Sequence, residues 1–212
     1  MFGDPVLNEK NLPVVQLSEV ADLITKGASP TWQGFSYKED ESQTLFVTSE
    51  NVREGYLDFT SAKYIENAFN EKQKRSILKN GDFLINIVGA SIGRAAQFRG
   101  NALANINQAV ALVRMKADVV TSEYMLHYLN SHKALQMYDS MKSSVARANL
   151  SLTDIANLEL LLPPLAKQQE YSDFIAQLDK SEFALKQSLE KLTIAQKALM
   201  NQVFRGTPGP LD

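Results

Sequence analysis

The chain has 212 residues, of which 44% are hydrophobic and 22% are charged. This balance is ordinary for a globular protein with one sizeable domain and an appendage, or with two small domains. The absence of cysteine excludes a disulfide framework, a zinc–thiolate site and a thiol nucleophile. No apolar run approaches the ~18 residues of a membrane span, and the N-terminal residues lack the pattern of a signal peptide. We therefore expect a cytoplasmic protein without membrane association.

The net charge of −2 conceals an uneven distribution along the chain. Residues 1–62 contain four Lys or Arg against ten Asp or Glu, whereas residues 63–116 contain nine against three. A domain that is neutral overall can still present a basic face to phosphates. A mixed, solvated surface is the alternative interpretation of the same numbers.

Short strand-like runs separated by turns dominate the first half of the chain. The stretch LSEVADLITKG predicts a short helix with Ser18 as its N-cap and Gly27 just beyond its end. Further on, β-branched and aromatic runs predict strands, and NGD (80–82) and RGN (99–101) predict turns. The predicted strands are TLFVTS (44–49), DFLINIV (82–88), AAQF (95–98) and QAVALVRM (108–115).

Residues 121–142 predict one helix, capped by Thr121 or Ser122, because apolar residues recur at helical spacing with few breakers. The stretch NLSLTDIANLELLLPP then predicts a loop, a helical turn, a short strand and a diproline stop. The pattern up to residue 164 is that of an α+β domain with a mixed or largely antiparallel sheet.

From Leu165 to Phe204 the chain contains no Gly and no Pro, and good helix formers dominate. Apolar residues repeat every seven positions, which favours a coiled coil of about 60 Å over a terminal helix that packs on its own domain. The seam positions are Tyr171, Ile175, Leu178, Leu185, Leu189, Leu192, Leu199 and Val203, with Glu182 and Gln196 as polar members. The Gly- and Pro-rich residues 206–212 predict a flexible tail.

No constellation of catalytic residues is apparent. The two histidines, His127 and His132, are five residues apart in the predicted helix and therefore point to different sides. No zinc-protease, serine-hydrolase or Cys-x-x-Cys motif occurs. These observations predict no metal site and no catalytic residue.

Glycines at 89 and 93 in LINIVGASIGRAA raise the alternative of a phosphate-binding loop. The spacing fits neither the dinucleotide fingerprint nor the Walker loop, and a strand-like run follows where both motifs need a helix N-terminus. The stretch therefore predicts a tight turn between strands, with Ser91 and Arg94 at its tip.

Four segments in order resemble one family, the specificity subunits of type I restriction-modification systems. They are VVQLSEVADLITKGASP (14–30), LKNGDFLINIVGASIGRAAQF (78–98), NINQAVALVR (105–114) and ANLSLTDIANLELLLPPLAKQQEY (148–171). Lys167 stands where the family commonly has an acidic residue, and the first turn has the sequence GASP.

The resemblance implies that residues 1–164 form a target-recognition domain for one half of a bipartite DNA site. It implies that residues 165–205 form a spacer helix on which methyltransferase subunits dock. Catalysis would belong to the partners: S-adenosylmethionine to the methyltransferase, and ATP and Mg²⁺ to a restriction and translocase subunit, with no cofactor in this chain. Family members usually carry two such sets, so this chain resembles a half-subunit or a fragment of a full one.

A single recognition domain implies a homodimer through the heptad residues, because a bipartite site needs two readers. Candidate DNA contacts lie on loops between the matched strands. They are Ser29, Thr31, Trp32, Gln33, Tyr37, Ser91, Arg94, Lys142, Arg147 and Asn149. A coiled-coil adaptor without a DNA role, such as a vestigial specificity subunit, is the alternative.

Overall fold

The computed structural model describes residue 8, residues 10–143 and residues 149–205. The chain divides after Gln169 into two compact units. In chain order, the described strands are β1 Val14–Gln16, β2 Ala21–Lys26, β3 Tyr37–Lys38, β4 Thr44–Val47, β5 Tyr64–Ile65, β6 Phe83–Asn86, β7 Ala95–Gln97, β8 Ala104–Ile106, β9 Val110–Met115 and β10 Glu159–Leu161. The α-helices are α1 Leu17–Val20, α2 Phe69–Lys72, α3 Ser122–Leu129, α4 His132–Ser143, α5 Leu152–Ala156 and α6 Leu165–Arg205.

The first sheet has four antiparallel strands in the order β2-β9-β6-β7. The prediction of a helix over the whole of LSEVADLITKG is wrong, because residues 21–26 of this stretch form strand β2. Only one helical turn forms, with Gln16 rather than Ser18 as its N-cap, and the chain then becomes extended. Residues 21–26 are a strand because they pair along the edge of β9, and such tertiary pairing overrides local helix propensity.

The second sheet has the order β3-β5-β4-β8, in which β4 and β8 are parallel and the other pairs are antiparallel. A two-stranded sheet pairs β1 with β10. The predicted strands within 44–49, 82–88, 95–98 and 108–115 are all present. The α+β class with mixed sheets is therefore confirmed.

The predicted helix over 121–142 is two helices, α3 and α4, and Thr121 is the N-cap of α3. The break lies at Asn130, whose side chain leaves the helix to bind the first sheet. Its amide oxygen accepts from Ala95 N–H at 3.0 Å, and its amide nitrogen donates to the Ala95 carbonyl at 3.0 Å. Asn130 thereby binds the outward-facing backbone groups of an edge strand, where the Ala95 carbonyl also accepts from the Gly55 N–H at 2.9 Å.

The main core lies between the two four-stranded sheets. Val47 and Ile106 of the second sheet and Leu84 and Leu112 of the first belong to one cluster in which each is fully buried. Burial of apolar surface of this kind is the dominant favourable contribution to folding. The core fixes the sheets against each other, and with them the loops that join their strands.

An ion pair between Arg114 and the buried Asp82 lies at one end of the first sheet. The Arg114 guanidinium donates to both carboxylate oxygens of Asp82, at 2.7 Å each, and Asp82 is only 1% exposed. Asp82 also accepts from the backbone N–H of Lys79. This bidentate arrangement fixes the turn that leads into β6.

The last long helix, α6, runs without interruption over 41 residues, as the sequence predicts. Its first turn belongs to the first unit, where the buried Gln168 side chain accepts from Thr121 N–H and donates to the carbonyls of Val119 and Pro163. Within the described ranges, none of the helices combines the length and the apolarity that a bilayer span requires.

Candidate nucleic-acid interface

Several loops leave the first sheet at the same end. Strands β2 and β6 finish there and β7 and β9 begin there, because Ala111 of β9 pairs with both Lys26 and Ile85, and Ile85 also pairs with Ala95. We call this edge the loop end. It carries the loop 27–36 after β2 and the turn 87–94 between β6 and β7. With strands ~4.8 Å apart, β2 and β6 are about 10 Å from each other.

The loop 27–36 begins with a close backbone contact. A Cβ atom at Gly27 would overlap the carbonyl oxygen of Ile106, so only glycine fits at this position. The loop then forms a 3-10 helix over Thr31–Gln33, which Gly34 ends in the left-handed region at φ 81°. Phe35 packs edge-on against Phe69, which belongs to a second, smaller core cluster with Phe46 and Ile65. This contact fixes the end of the loop against the second sheet.

Four predicted contact residues lie on this loop. Ser29 and Gln33 are half-buried, Thr31 is exposed, and Trp32 is 90% exposed. Core packing, the alternative role for a tryptophan, therefore does not apply to Trp32. The loop holds these side chains outward from a fixed backbone.

Tyr37, the fifth predicted residue of this stretch, lies on β3 in the second sheet. Its ring contacts Phe46 at a centroid distance of 5.9 Å and is half exposed. Glu66 nearby accepts from Lys38 and Ser36, and these two hydrogen bonds hold the pKa of its carboxyl below the ordinary value. Tyr37 therefore belongs to the second sheet, directly after the loop 27–36.

The turn 87–94 is a β-hairpin connection, so the predicted strand-turn-strand is confirmed. Gly89–Ser91 form a single 3-10 turn, and strand β7 follows where a phosphate loop would need a helix. Arg94 is exposed. Gly93, at φ 90°, lies against Tyr138 of α4, where a Cβ would approach the ring to 2.6 Å.

Asn86, which was not among the predicted site residues, holds this turn in place. Its amide nitrogen donates to the carbonyl of Ser49 at 2.9 Å, to the hydroxyl of Ser91 at 3.0 Å and to the carbonyl of Val52 at 3.4 Å. Asn86 is fully buried. The available signal was one amide side chain in the otherwise apolar run FLINIV (83–88), since a buried polar group needs partners.

Asn149 is brought to the same place. It forms a β-bridge with Val88 in the turn, and the next residue, Leu150, donates its N–H to the Ile87 carbonyl at 2.9 Å. The structure therefore groups Asn149 with the turn that carries Ser91. Lys142 belongs to the last turn of α4, with its side chain outside the described part, and Arg147 lies outside the described residues.

A second missed feature is a basic segment at α2 and the 3-10 helix Lys74–Ser76. Lys72, Lys74 and Arg75 are all exposed. Lys72 donates to the Gln33 carbonyl at 3.3 Å and its ammonium stands 5.0 Å from the centre of the Phe35 ring. The excess of positive charge in residues 63–116 was visible in the sequence, but not that part of it adjoins the loop 27–36.

The predicted coiled-coil residues all lie on α6. In the second unit the seam is open to solvent: Leu178 is 48% exposed and Leu185 is 70% exposed, with Leu189, Leu192, Leu199 and Val203 between these values. Met200 and Phe204, each next to a seam residue, widen the apolar surface and were not predicted. Large exposed apolar surfaces on monomers commonly mark association sites.

The described parts of the chain contain no group of three or more His, Asp or Glu side chains that could hold a metal ion. What converges at the loop end is instead a set of hydroxyl, amide and guanidinium groups on fixed turns. Such donors and acceptors are those that recognise base edges and phosphates in DNA.

Comparison with known proteins gives a consistent result. The family model of the type I restriction modification DNA specificity domain matches residues 9–193. The chain is similar to the EcoBI specificity subunit of Escherichia coli, a type I restriction enzyme subunit, with 26% identity over 160 residues that cover 74% of this chain and 34% of that protein. It is also similar to the putative type I restriction enzyme MjaX specificity subunit of Methanocaldococcus jannaschii, with 22% identity over 90% of this chain and 45% of that protein. The chain thus spans less than half the length of these relatives.

Solved structures share the fold. The HsdS subunit from Thermoanaerobacter tengcongensis superposes with a TM-score of 0.62 at 22% identity, covering 92% of this chain and 45% of that one. A chain from a type I R-M system gives a TM-score of 0.64 at 22% identity, covering 97% of this chain and 49% of that one. Because the family model matches most of its length, the chain belongs to the family of type I restriction-modification specificity subunits.

Proposed function

We propose that this chain recognises one half of a bipartite DNA site for a type I restriction-modification complex. The observation that carries the proposal is the convergence of the loop 27–36, the turn 87–94 and Asn149 at one end of a rigid sheet. Their polar side chains suit direct contacts to base edges and phosphates. The family supplies the biological setting.

Catalysis belongs, in this proposal, to partner subunits. The methyltransferase would bind S-adenosylmethionine and the flipped adenine, and a restriction and translocase subunit would use ATP and Mg²⁺. This chain would supply target choice and a docking surface on α6. The decisive experiment co-expresses the chain with its methyltransferase and maps modified adenines across the genome. A defined bipartite motif supports the proposal, and an unmethylated genome despite a stable complex favours the adaptor alternative.

Arg94 provides a residue-level test of the loop end. Arg94→Ala should weaken binding to the mapped site and lower the slope of log affinity against log salt by about one, because one phosphate contact is lost. The matched control is Lys79→Ala: this exposed cation lies beside the turn at the opposite end of the same sheet and should leave both quantities unchanged. Equal behaviour of the two variants would remove the turn from the interface. Arg147→Ala is expected to act as Arg94→Ala does.

The exposed seam of α6 supports a homodimer as part of the same proposal. A two-fold dimer through this seam would supply the second recognition domain and make the target site palindromic. Replacing Leu185 and Leu192 together by Asp should convert the dimer to a monomer, because charges cannot be buried in a helix seam without partners. Light scattering at micromolar concentration checks this, with Lys180→Asp as a control on the same helix. A monomeric wild-type chain would contradict the dimer.

A further inference from the structure

Trp32 is an unusual surface residue in three respects. It is 90% exposed, it is the single tryptophan of the chain, and it stands at the centre of a 3-10 turn. Isolated surface apolar residues are common, but a fully projecting indole is the largest apolar group that a surface can offer. Among the described residues, none covers the Trp32 ring to an appreciable extent.

The turn that carries Trp32 is rigid. Gln33 and Phe35 both donate their N–H groups to the Pro30 carbonyl, at 2.9 and 3.0 Å, and Gly34 donates to Thr31 at 3.2 Å. On one side Gly27 lies against the Ile106 backbone, and on the other Phe35 packs on the core. A side chain presented from such a frame loses little backbone entropy when it binds.

Positive charge flanks this turn. Lys72 is attached to it through the Gln33 carbonyl, and Lys74 and Arg75, both exposed, follow Lys72 in the next 3-10 helix. No ion pair of Lys74 or Arg75 occurs with any described carboxylate, and Glu71 is the one acidic neighbour in sequence. An apolar wedge beside free cations matches duplex DNA, where bases adjoin phosphates, better than an uncharged protein surface.

We infer that Trp32 inserts against the bases of the target duplex as an apolar wedge, while Lys74 and Arg75 bind phosphates of the flanking backbone. Lys72 acts by positioning, because its ammonium already links α2 to the Trp32 turn. Unstacking a base step has a cost that phosphate contacts beside the wedge offset, as in other proteins that insert apolar side chains into DNA. The inference rests on the proposed function, namely that this domain binds double-stranded DNA.

The single tryptophan makes a direct test possible. The full-length chain is titrated with a short duplex that carries the mapped site, while fluorescein anisotropy reports binding and tryptophan emission reports the environment of Trp32. We expect the emission to be quenched and shifted to shorter wavelength with the same midpoint as the anisotropy. Full binding with unchanged emission would overturn the wedge and leave the proposed function intact. If the anisotropy does not change either, the proposed function fails and the wedge fails with it.

Variants separate the wedge from the cations. Trp32→Ala should weaken binding roughly tenfold with an unchanged salt slope, and Trp32→Phe should recover most of the loss because a ring can still stack. The double variant Lys74→Ala/Arg75→Ala should lower the salt slope by about two. The matched control is Lys79→Ala, an exposed lysine beside the turn at the opposite end of the first sheet. Wild-type affinity of Trp32→Ala, or a salt slope of the double variant equal to that of the control, would overturn the assignment.

A protein partner is the competing occupant of this surface. The chain is produced with fluorinated tryptophan, which labels Trp32 alone, and mixed with unlabelled methyltransferase subunit in the absence of DNA. The fluorine resonance should stay at its free position and move when the duplex is added. A shift caused by the methyltransferase alone would assign Trp32 to a protein interface and overturn the inference.

Discussion

At the scale of single residues, the architecture depends on a few amide groups that bind backbone atoms. Asn86 is the clearest case, because its buried amide nitrogen donates to three acceptors from two loops. The sequence shows a polar residue in an apolar strand but does not reveal which groups it binds. The three contacts come from residues 49, 52 and 91, so the role exists only in the folded chain.

The hydrogen bonds of Asn86 predict how two of its replacements rank in the free energy of unfolding. Asn86→Ala should lower the free energy of unfolding by about 2 kcal/mol, because buried carbonyls lose their donor. Asn86→Asp should lower it further at neutral pH, because a carboxylate would face the carbonyls of Ser49 and Val52. Burial raises the pKa of such a carboxyl above its unfolded value, so this variant should regain stability as the pH falls.

Urea denaturation measures these changes through the transition midpoint. Ser91→Ala is the control, since it removes one half-buried acceptor and should cost well under ~1 kcal/mol. Wild-type stability of Asn86→Asp at neutral pH would contradict the assigned hydrogen bonds.

At the scale of elements, the strands bounded by turn residues were predictable and the elements shaped by pairing were not. Strands β4, β6, β7 and β9 follow apolar or β-branched runs between turns, so local chemistry and tertiary structure agree. Strand β2 was predicted as helix because its residues fit both periods, and its edge position beside β9 decides the outcome. The break between α3 and α4 was missed for a similar reason. Asn130 ends α3 through a bond to a strand that is 35 residues away in sequence.

Asn130 carries the prediction at this scale. Asn130→Ala should lower the free energy of unfolding by about 2 kcal/mol, because the backbone groups of Ala95 lose their side-chain partner at an edge strand. It should also accelerate hydrogen exchange of the Ala95 amide.

Exchange measured by NMR distinguishes this role from a general loss of stability. The control is Ser131→Ala, which removes a weak cap of α4 and should leave the Ala95 amide as protected as in the wild type. Equal protection in Asn130→Ala and the control would contradict the edge-capping role.

At the scale of the whole molecule, the sequence predicted the fold class and singled out loops for the candidate site, but it did not predict how those loops lie together. The loop residues Ser29 to Gln33 and the turn with Ser91 and Arg94 were identified from turn chemistry and family resemblance, and the register shows them leaving one end of one sheet. The adjacency of Lys72 to the Trp32 turn was not predictable, because residues 33 and 72 are 39 positions apart. Long-range pairing of this kind leaves no local pattern in a sequence.

If the two α6 helices of the proposed dimer pair antiparallel, the recognition domains lie at opposite ends of a helical rod, and the length of the helix sets the distance between the two half-sites. Deleting one heptad, residues 183–189, keeps the seam in phase and shortens the rod by about 10 Å, since the helix rises 1.5 Å per residue. The two half-sites should then move together by about three base pairs, at 3.4 Å each. Mapping of modified adenines in cells that express the shortened chain measures the spacer directly.

A control deletion separates length from register. Removing residues 183–187 shortens the helix by a similar amount but turns the remaining seam by about 140°, because each residue rotates 100°. This variant should fail to dimerise and should leave the genome unmodified. An unchanged spacer in the heptad deletion would contradict recognition domains at opposite ends of the rod.

The contacts that hold the loop end in place share one property: each of them involves backbone atoms of the sheets or of the connecting segments. Gly27 meets the backbone of Ile106, Asn86 binds the carbonyls of residues 49 and 52, and Asn130 binds the backbone of Ala95. Apart from the Ser91 hydroxyl, which also accepts a hydrogen bond from Asn86, these contacts do not involve the outward side chains of the loops. Mutations at those positions can therefore accumulate without loss of folding. Under the proposed function, target preference would depend on one set of residues and folding on another, so single substitutions in the loops would change DNA specificity while the scaffold stays the same.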